Sequence, residues 1–162
     1  MRITAPTSVA FVGAAALALA TATVAAATAP SKETPTPLAR GQLVAAPNVN
    51  RTLTDGRVGI TAQGALDVML LQVRLAPGGT GGWHMHAGPL INIVKQGTLT
   101  IIDANCKRHD IPAGHAVISP GSTPDEDENL GTTPVVFDVT FLLPHSVASP
   151  RIDTPAPAGC NA

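Results

Sequence analysis

The sequence predicts an all-β domain, a sandwich or barrel, behind an N-terminal export segment. Short β-type runs are broken at close intervals by Gly and Pro, no stretch beyond the leader has a convincing helical period, and 162 residues suit one domain. The runs are Val68 to Leu75, Leu90 to Val94, Thr98 to Ile102, His115 to Ser119 and Val135 to Leu143. Turn-forming stretches separate them at Pro77 to Gly82, Ile111 to Gly114 and Pro120 to Pro124. Many short strands with turn residues between them are the pattern of sandwiches and barrels.

The first thirty residues differ from the rest. Arg2 is the only charge before Lys32, and Val9 to Ala27 is an almost unbroken run of Ala, Val, Leu, Phe and Thr. A basic start, an apolar run and small residues at Ala25 to Ala27 have the layout of a cleaved secretory signal over residues 1–27. The run is long enough to span a bilayer, but Ala and Thr make it weakly hydrophobic, so a leader fits better than an anchor. The expectation is secretion, with no stable membrane insertion after cleavage. Thr28 to Arg40, with Pro30, Pro35 and Pro37, reads as a flexible or extended lead-in.

Without the leader, nine basic residues face eleven acidic ones, and no basic cluster exists. Trp83, Phe137 and Phe141 are then the only aromatics. Phosphate neutralisation needs clustered Lys and Arg, and single-strand binding needs stacking platforms, so nucleic acid is not an expected partner. Cys106 and Cys160 both lie in the exported part. An even count in an oxidising compartment predicts a disulfide between them, the alternative being two free thiols. Pro144, Pro150, Pro155 and Pro157 make the C-terminus an irregular strap, which such a bond would pin back.

The densest site signal is Gly78 to His86, which ends in Trp83-His84-Met85-His86. Residues two apart in a strand share a face, so His84 and His86 can present both imidazoles to one ion while Met85 turns away. Neutral imidazole is the commonest protein ligand for transition metals. Taken alone, the pair is equally well read as two surface histidines.

Around that pair the sequence resembles the cupin superfamily. Gly78, His84, His86 and Gly97 stand at the spacings of the first cupin motif, and Gly114, Pro120 and Asn129 at those of the second. The likeness runs from about Leu66 to Leu143, and it is closest to small secreted actinobacterial cupins. These carry a Gly-Trp-His-x-His-x-Gly-Pro stretch, a downstream Cys and a Pro-x-Pro-x-x-Cys tail, as Gly82 to Pro89, Cys106 and Pro155 to Cys160 do here. The resemblance implies a single-domain double-stranded β-helix, or jelly-roll barrel, over residues 41–145, with the strap over 146–162.

Three positions depart from the motifs. Leu90 stands where the family usually has a metal-binding Glu, Ser122 replaces a turn Gly, and Asp125 occupies the place of the third His. Two His with one carboxylate is nonetheless the ligand set of many non-haem iron sites. The resemblance therefore implies a divalent ion (iron, manganese, zinc or nickel) held by His84, His86 and Asp125. If Asn129 faces inward, Asp125 and Asp127 share its face and Glu126 and Glu128 point out, which makes Asp127 the reserve ligand. The competing reading of Asp125 to Glu128 is a solvated acidic loop. His109, His115 and His145 read as surface histidines, and Lys95 as a candidate for the barrel mouth. No catalytic residue is identifiable.

Two functions stay open. One is metal-dependent oxidative or isomerising chemistry on a small extracellular molecule. The other is a non-catalytic ligand-binding or structural cupin with a degenerate site, which the apolar Leu90 favours. The family implies a homodimer paired through sheet edges.

Overall fold

The computed structural model describes residues 26–53 and 56–160, which form twelve strands and no helix. In chain order the strands are β1 (Ser31–Gln42), β2 (Asn48–Leu53), β3 (Gly56–Thr61), β4 (Leu66–Thr80), β5 (His84–His86) and β6 (Leu90–Gln96). The others are β7 (Thr98–Asp103), β8 (Arg108–Pro112), β9 (Ala116–Ser119), β10 (Asp125–Glu128), β11 (Val135–Pro144) and β12 (Arg151–Asp153). The leader read over residues 1–27 lies outside the described residues, apart from its last two positions.

Ten strands form one antiparallel sheet that curls into a jelly-roll double-stranded β-helix. One wall runs β1-β4-β11-β6-β9 and the other β12-β5-β10-β7-β8. They join where the far end of β4 reaches β10, with Thr80 opposite Glu128. Strands β2 and β3 make a separate hairpin.

The core follows from the period of two. Along β11, Val135, Phe137, Val139, Phe141 and Leu143 are buried, and the residues between them are less so. Leu71, Val73 and Leu75 of β4 and Leu90 and Val94 of β6 meet them from either side. Residues Leu66 to Leu75 of β4 pair with Val135 to Pro144 of β11 without a shift. A one-residue slip would turn every one of these side chains to water, so burial holds the register.

Of the two readings of the lead-in at 28–40, the structure shows the extended one. Ser31–Gln42 is a strand, β1, laid along β4 and interrupted by two irregularities in register. Proline is tolerated in a strand of this kind because β1 lies at the edge of its wall. An edge strand needs donors on one side only, and residues two apart place their N–H groups on the same side. Pro35 and Pro37 obey that spacing and turn toward the barrel hollow, opposite Val73 and Leu71. The strap is likewise partly regular, since β12 pairs with β5. Cys106 and Cys160 are joined by a disulfide, and no cysteine is free.

Asn129 is 1 % exposed and holds the loop after β10 against β4. Its Nδ2 donates to the carbonyls of Leu75 (3.0 Å) and Thr133 (2.9 Å), and its Oδ1 accepts from the Gly131 N–H (3.0 Å). Each buried group left without a partner costs about 1–3 kcal/mol. Asn129→Ala is therefore expected to lower unfolding free energy by about 3 kcal/mol, read from urea midpoints at unchanged slope.

Candidate metal centre

The approach to β5 is set by backbone geometry. Gly82 has φ +64°, and a side-chain carbon there would lie 2.3 Å from the Thr28 carbonyl oxygen, so no other residue fits without rearrangement. This turn delivers Trp83, fully buried, and then the short strand β5. β5 is held on both sides, with Asp125 of β10 opposite His84, and Arg151 and Asp153 of β12 opposite His86 and His84.

His84 and His86 both face the barrel hollow, with ring centroids 4.7 Å apart and planes nearly perpendicular. His84 Nδ1 donates to the Gly82 carbonyl at 2.7 Å, which leaves Nε2 as the nitrogen with a free lone pair. That Nε2 is 4.0 Å from Asp125 Oδ1. His86 packs against Phe141 at 5.1 Å, and its Nδ1 is buried with no hydrogen-bond partner. One ligand atom from each of His84, His86 and Asp125 lies within 4.8 Å of the others. Atoms about 2.0–2.2 Å from a common ion and at tetrahedral angles to it lie about 3.3–3.6 Å apart, so closing on an ion requires contraction of up to about an ångström.

The electrostatics suit a cation. Burial lowers the His84 pKa to about 4, with the Arg151 charge adding to the effect. Burial likewise lowers His86 to about 3, with His84 contributing. Both imidazoles are thus neutral at physiological pH, the state in which they bind metal. Burial raises Asp125 to about 6 against the opposing pull of Arg151. Asp127 is also pushed up, by burial first and then by the charges of Asp125 and Glu33. A divalent ion would offset the repulsion among these acids.

The hollow itself is about 310 Å³ and mainly apolar. Leu90, 3 % exposed, lines it beside both histidines, so the position where a Glu is expected is a hydrocarbon wall. Asp127 lines the hollow too, whereas Asp125 borders a neighbouring cleft of about 260 Å³ with Asp103 and His109. The two histidines and Asp125 therefore stand between two hollows.

Several expectations need correction. Asp125 to Glu128 is a strand between β5 and β7 rather than a solvated loop. Glu126 does not point out to water: it is 7 % exposed and accepts a 2.6 Å hydrogen bond from Thr80 Oγ1. Lys95 is exposed and pairs with Asp138 at 3.2 Å, away from the hollow. His109 is half-buried and bonded to Asp103 at 2.9 Å, and His145 is bonded to Asp67 at 2.7 Å. Neither they nor the exposed His115 joins the metal-ligating group.

Sequence reasoning missed Asn92, Glu33 and Arg151, all of which line the hollow. Asn92 was within reach, being two residues from Leu90 in a β-type run. Glu33 and Arg151 sit in Pro-rich stretches whose composition carries no sign of a site.

An all-β barrel with a His-x-His pair facing its hollow and a carboxylate alongside is a jelly roll whose His-His-Asp group could hold a metal ion. Residues 71–142 match the family model described as the cupin domain, which supports the cupin superfamily. Among solved structures, the chain is similar to an oxalate oxidase in complex with the substrate analogue glycolate, at 28 % identity and TM-score 0.40. That alignment covers 46 % of this chain and 41 % of the oxidase chain, so this protein spans less than half of its length. A cupin domain from Bordetella pertussis Tohama I is similar at 22 % identity and TM-score 0.42, covering 46 % of this chain and 80 % of that one. A protein with a double-stranded β-helix domain from Klebsiella pneumoniae is similar at 17 % identity and TM-score 0.46, covering 54 % and 74 %. No curated protein matches.

Proposed function

We propose that this is a secreted cupin that holds a divalent ion through His84, His86 and Asp125 and binds or acts on a small molecule in the hollow beside it. The observation that carries this reading is the gathering of the three ligand atoms within 4.8 Å, next to a 310 Å³ cavity. When bound, such an ion would orient or polarise the molecule, because a set of three protein ligands leaves coordination positions open. The protein's own part is to keep both imidazoles neutral, fix the His84 tautomer through Gly82 and exclude water with an apolar wall. Secretion is supported by the layout of residues 1–27 and by a disulfide, which suits an oxidising compartment. A homodimer through the free edge of β9 belongs to the same reading, supported by exposed Ile91, Ile93 and Ile118 near that edge.

The second reading, a non-catalytic ligand-binding barrel, is favoured by Leu90 in the expected place of a Glu. Elemental analysis separates the two. After incubation with iron, manganese, zinc or nickel and desalting, the protein is expected to retain about one ion per chain, and His84→Ala to retain far less. Absence of stoichiometric metal from the unaltered protein across the whole panel leaves the second reading.

A further inference from the structure

Among the polar groups that line the hollow, the amide of Asn92 is used by neither the proposed metal centre nor the fold. Asn92, on β6 between Leu90 and Val94, is 5 % exposed and lines the cavity, and its Oδ1 is buried without a hydrogen-bond partner. Opposite it on β11 is Val139, which cannot supply a donor. A buried carbonyl oxygen left unpaired is costly, and native structures keep such groups where a ligand or water satisfies them. Around Asn92 the wall is hydrocarbon, from Met69, Leu71, Phe137 and Phe141 among others.

The charged groups at the hollow disfavour an anion. Asp127 and Glu33 line it and Asp125 stands next to the histidines, against the one guanidinium of Arg151. That guanidinium is already engaged, through Nε with Asp153 and through Nη2 with the Gly81 carbonyl. At about 310 Å³ the cavity is at the small end of ligand pockets.

We infer that the hollow takes a small, uncharged, mainly apolar molecule carrying one hydrogen-bonding group, which is met by the side-chain amide of Asn92. This rests on the reading of the hollow as a small-molecule site. It adds the substrate class, and makes Asn92 the residue that selects it. In the metal-free protein a carboxylate of the same shape is disfavoured by the acids, and a pure hydrocarbon leaves Asn92 unpaired.

Equilibrium dialysis with three probes of one shape tests it: 2-naphthol, naphthalene and 2-naphthoate. Each is measured on the purified protein after chelation and again after loading with zinc. One net buried hydrogen bond is worth about fivefold to tenfold in affinity. The expected result is 2-naphthol bound about fivefold to tenfold tighter than naphthalene in both states, with 2-naphthoate weakest in the chelated protein. Asn92→Leu, which keeps the volume and removes the acceptor, is expected to bind 2-naphthol and naphthalene alike. Equal binding of those two by the unaltered protein overturns the inference without reference to any variant. So does tightest binding of 2-naphthoate by the chelated protein, or a preference that survives in Asn92→Leu. A protein that retains no zinc yet keeps the preference overturns the metal reading alone, whereas one that retains zinc without the preference overturns this inference alone.

Discussion

Replacing Cys106 and Cys160 together by Ser is expected to lower the midpoint of thermal unfolding by about 10–15 °C. The bond closes a loop across 54 positions, and the chain-entropy treatment assigns on the order of 4 kcal/mol to a loop of that length. In domains of this size 1 kcal/mol corresponds to roughly 2–4 °C. The loss falls on one part of the fold. Cys106 sits in the turn between β7 and β8, and Cys160 ends the strap that carries β12. Without the bond, β12 is held to β5 by its three-residue pairing, with Thr154 N–H on the Trp83 carbonyl and Ala87 N–H on the Pro150 carbonyl at its flanks. Ser149, Pro150 and Arg151 of the strap line the hollow, so its looser attachment also opens the ligand cavity. Circular-dichroism melts of the oxidised protein and the double variant check the size of the effect. A shift below about 3 °C would mean that strand pairing alone secures the strap.

How much of this was legible in the sequence depended on where the stabilisation of each element comes from. The runs at Val68 to Leu75, Leu90 to Val94 and Val135 to Leu143 carry their own period-two apolar pattern, and they became the centres of β4, β6 and β11. The segments that carry no such pattern are strands because of their neighbours. β10 is Asp-Glu-Asp-Glu, a poor strand by propensity, yet it pairs with β5, β7 and the end of β4. β1 and β12 lie in Pro-rich stretches and are extended because β4 and β5 offer them open edges. The histidine pair was readable because spacing alone puts both rings on one face. Glu33 and Arg151 were not, because their places in the hollow follow from long-range pairing.

Leu90→Glu is expected to produce the largest change whose direction depends on metal. Leu90 is 3 % exposed, packed in the core opposite Phe141, and lines the same hollow as both histidines. Exchanging it for Glu removes about 2 kcal/mol of apolar burial. The new carboxylate is also desolvated near Asp127 and Asp125, with no cation reserved for it. Together these terms come to about 4 kcal/mol or more, and in chelator the variant should melt well below the unaltered protein. Adding zinc or manganese should reverse much of that difference. The side chain then supplies a second carboxylate to the two histidines and Asp125, and an ion that binds only the folded state adds about 2.7 kcal/mol at one hundred times its dissociation constant. The informative quantity is therefore the metal-induced rise in melting temperature, expected to be larger in the variant than in the unaltered protein. Equal rises in the two would mean that a side chain at position 90 does not reach the ion.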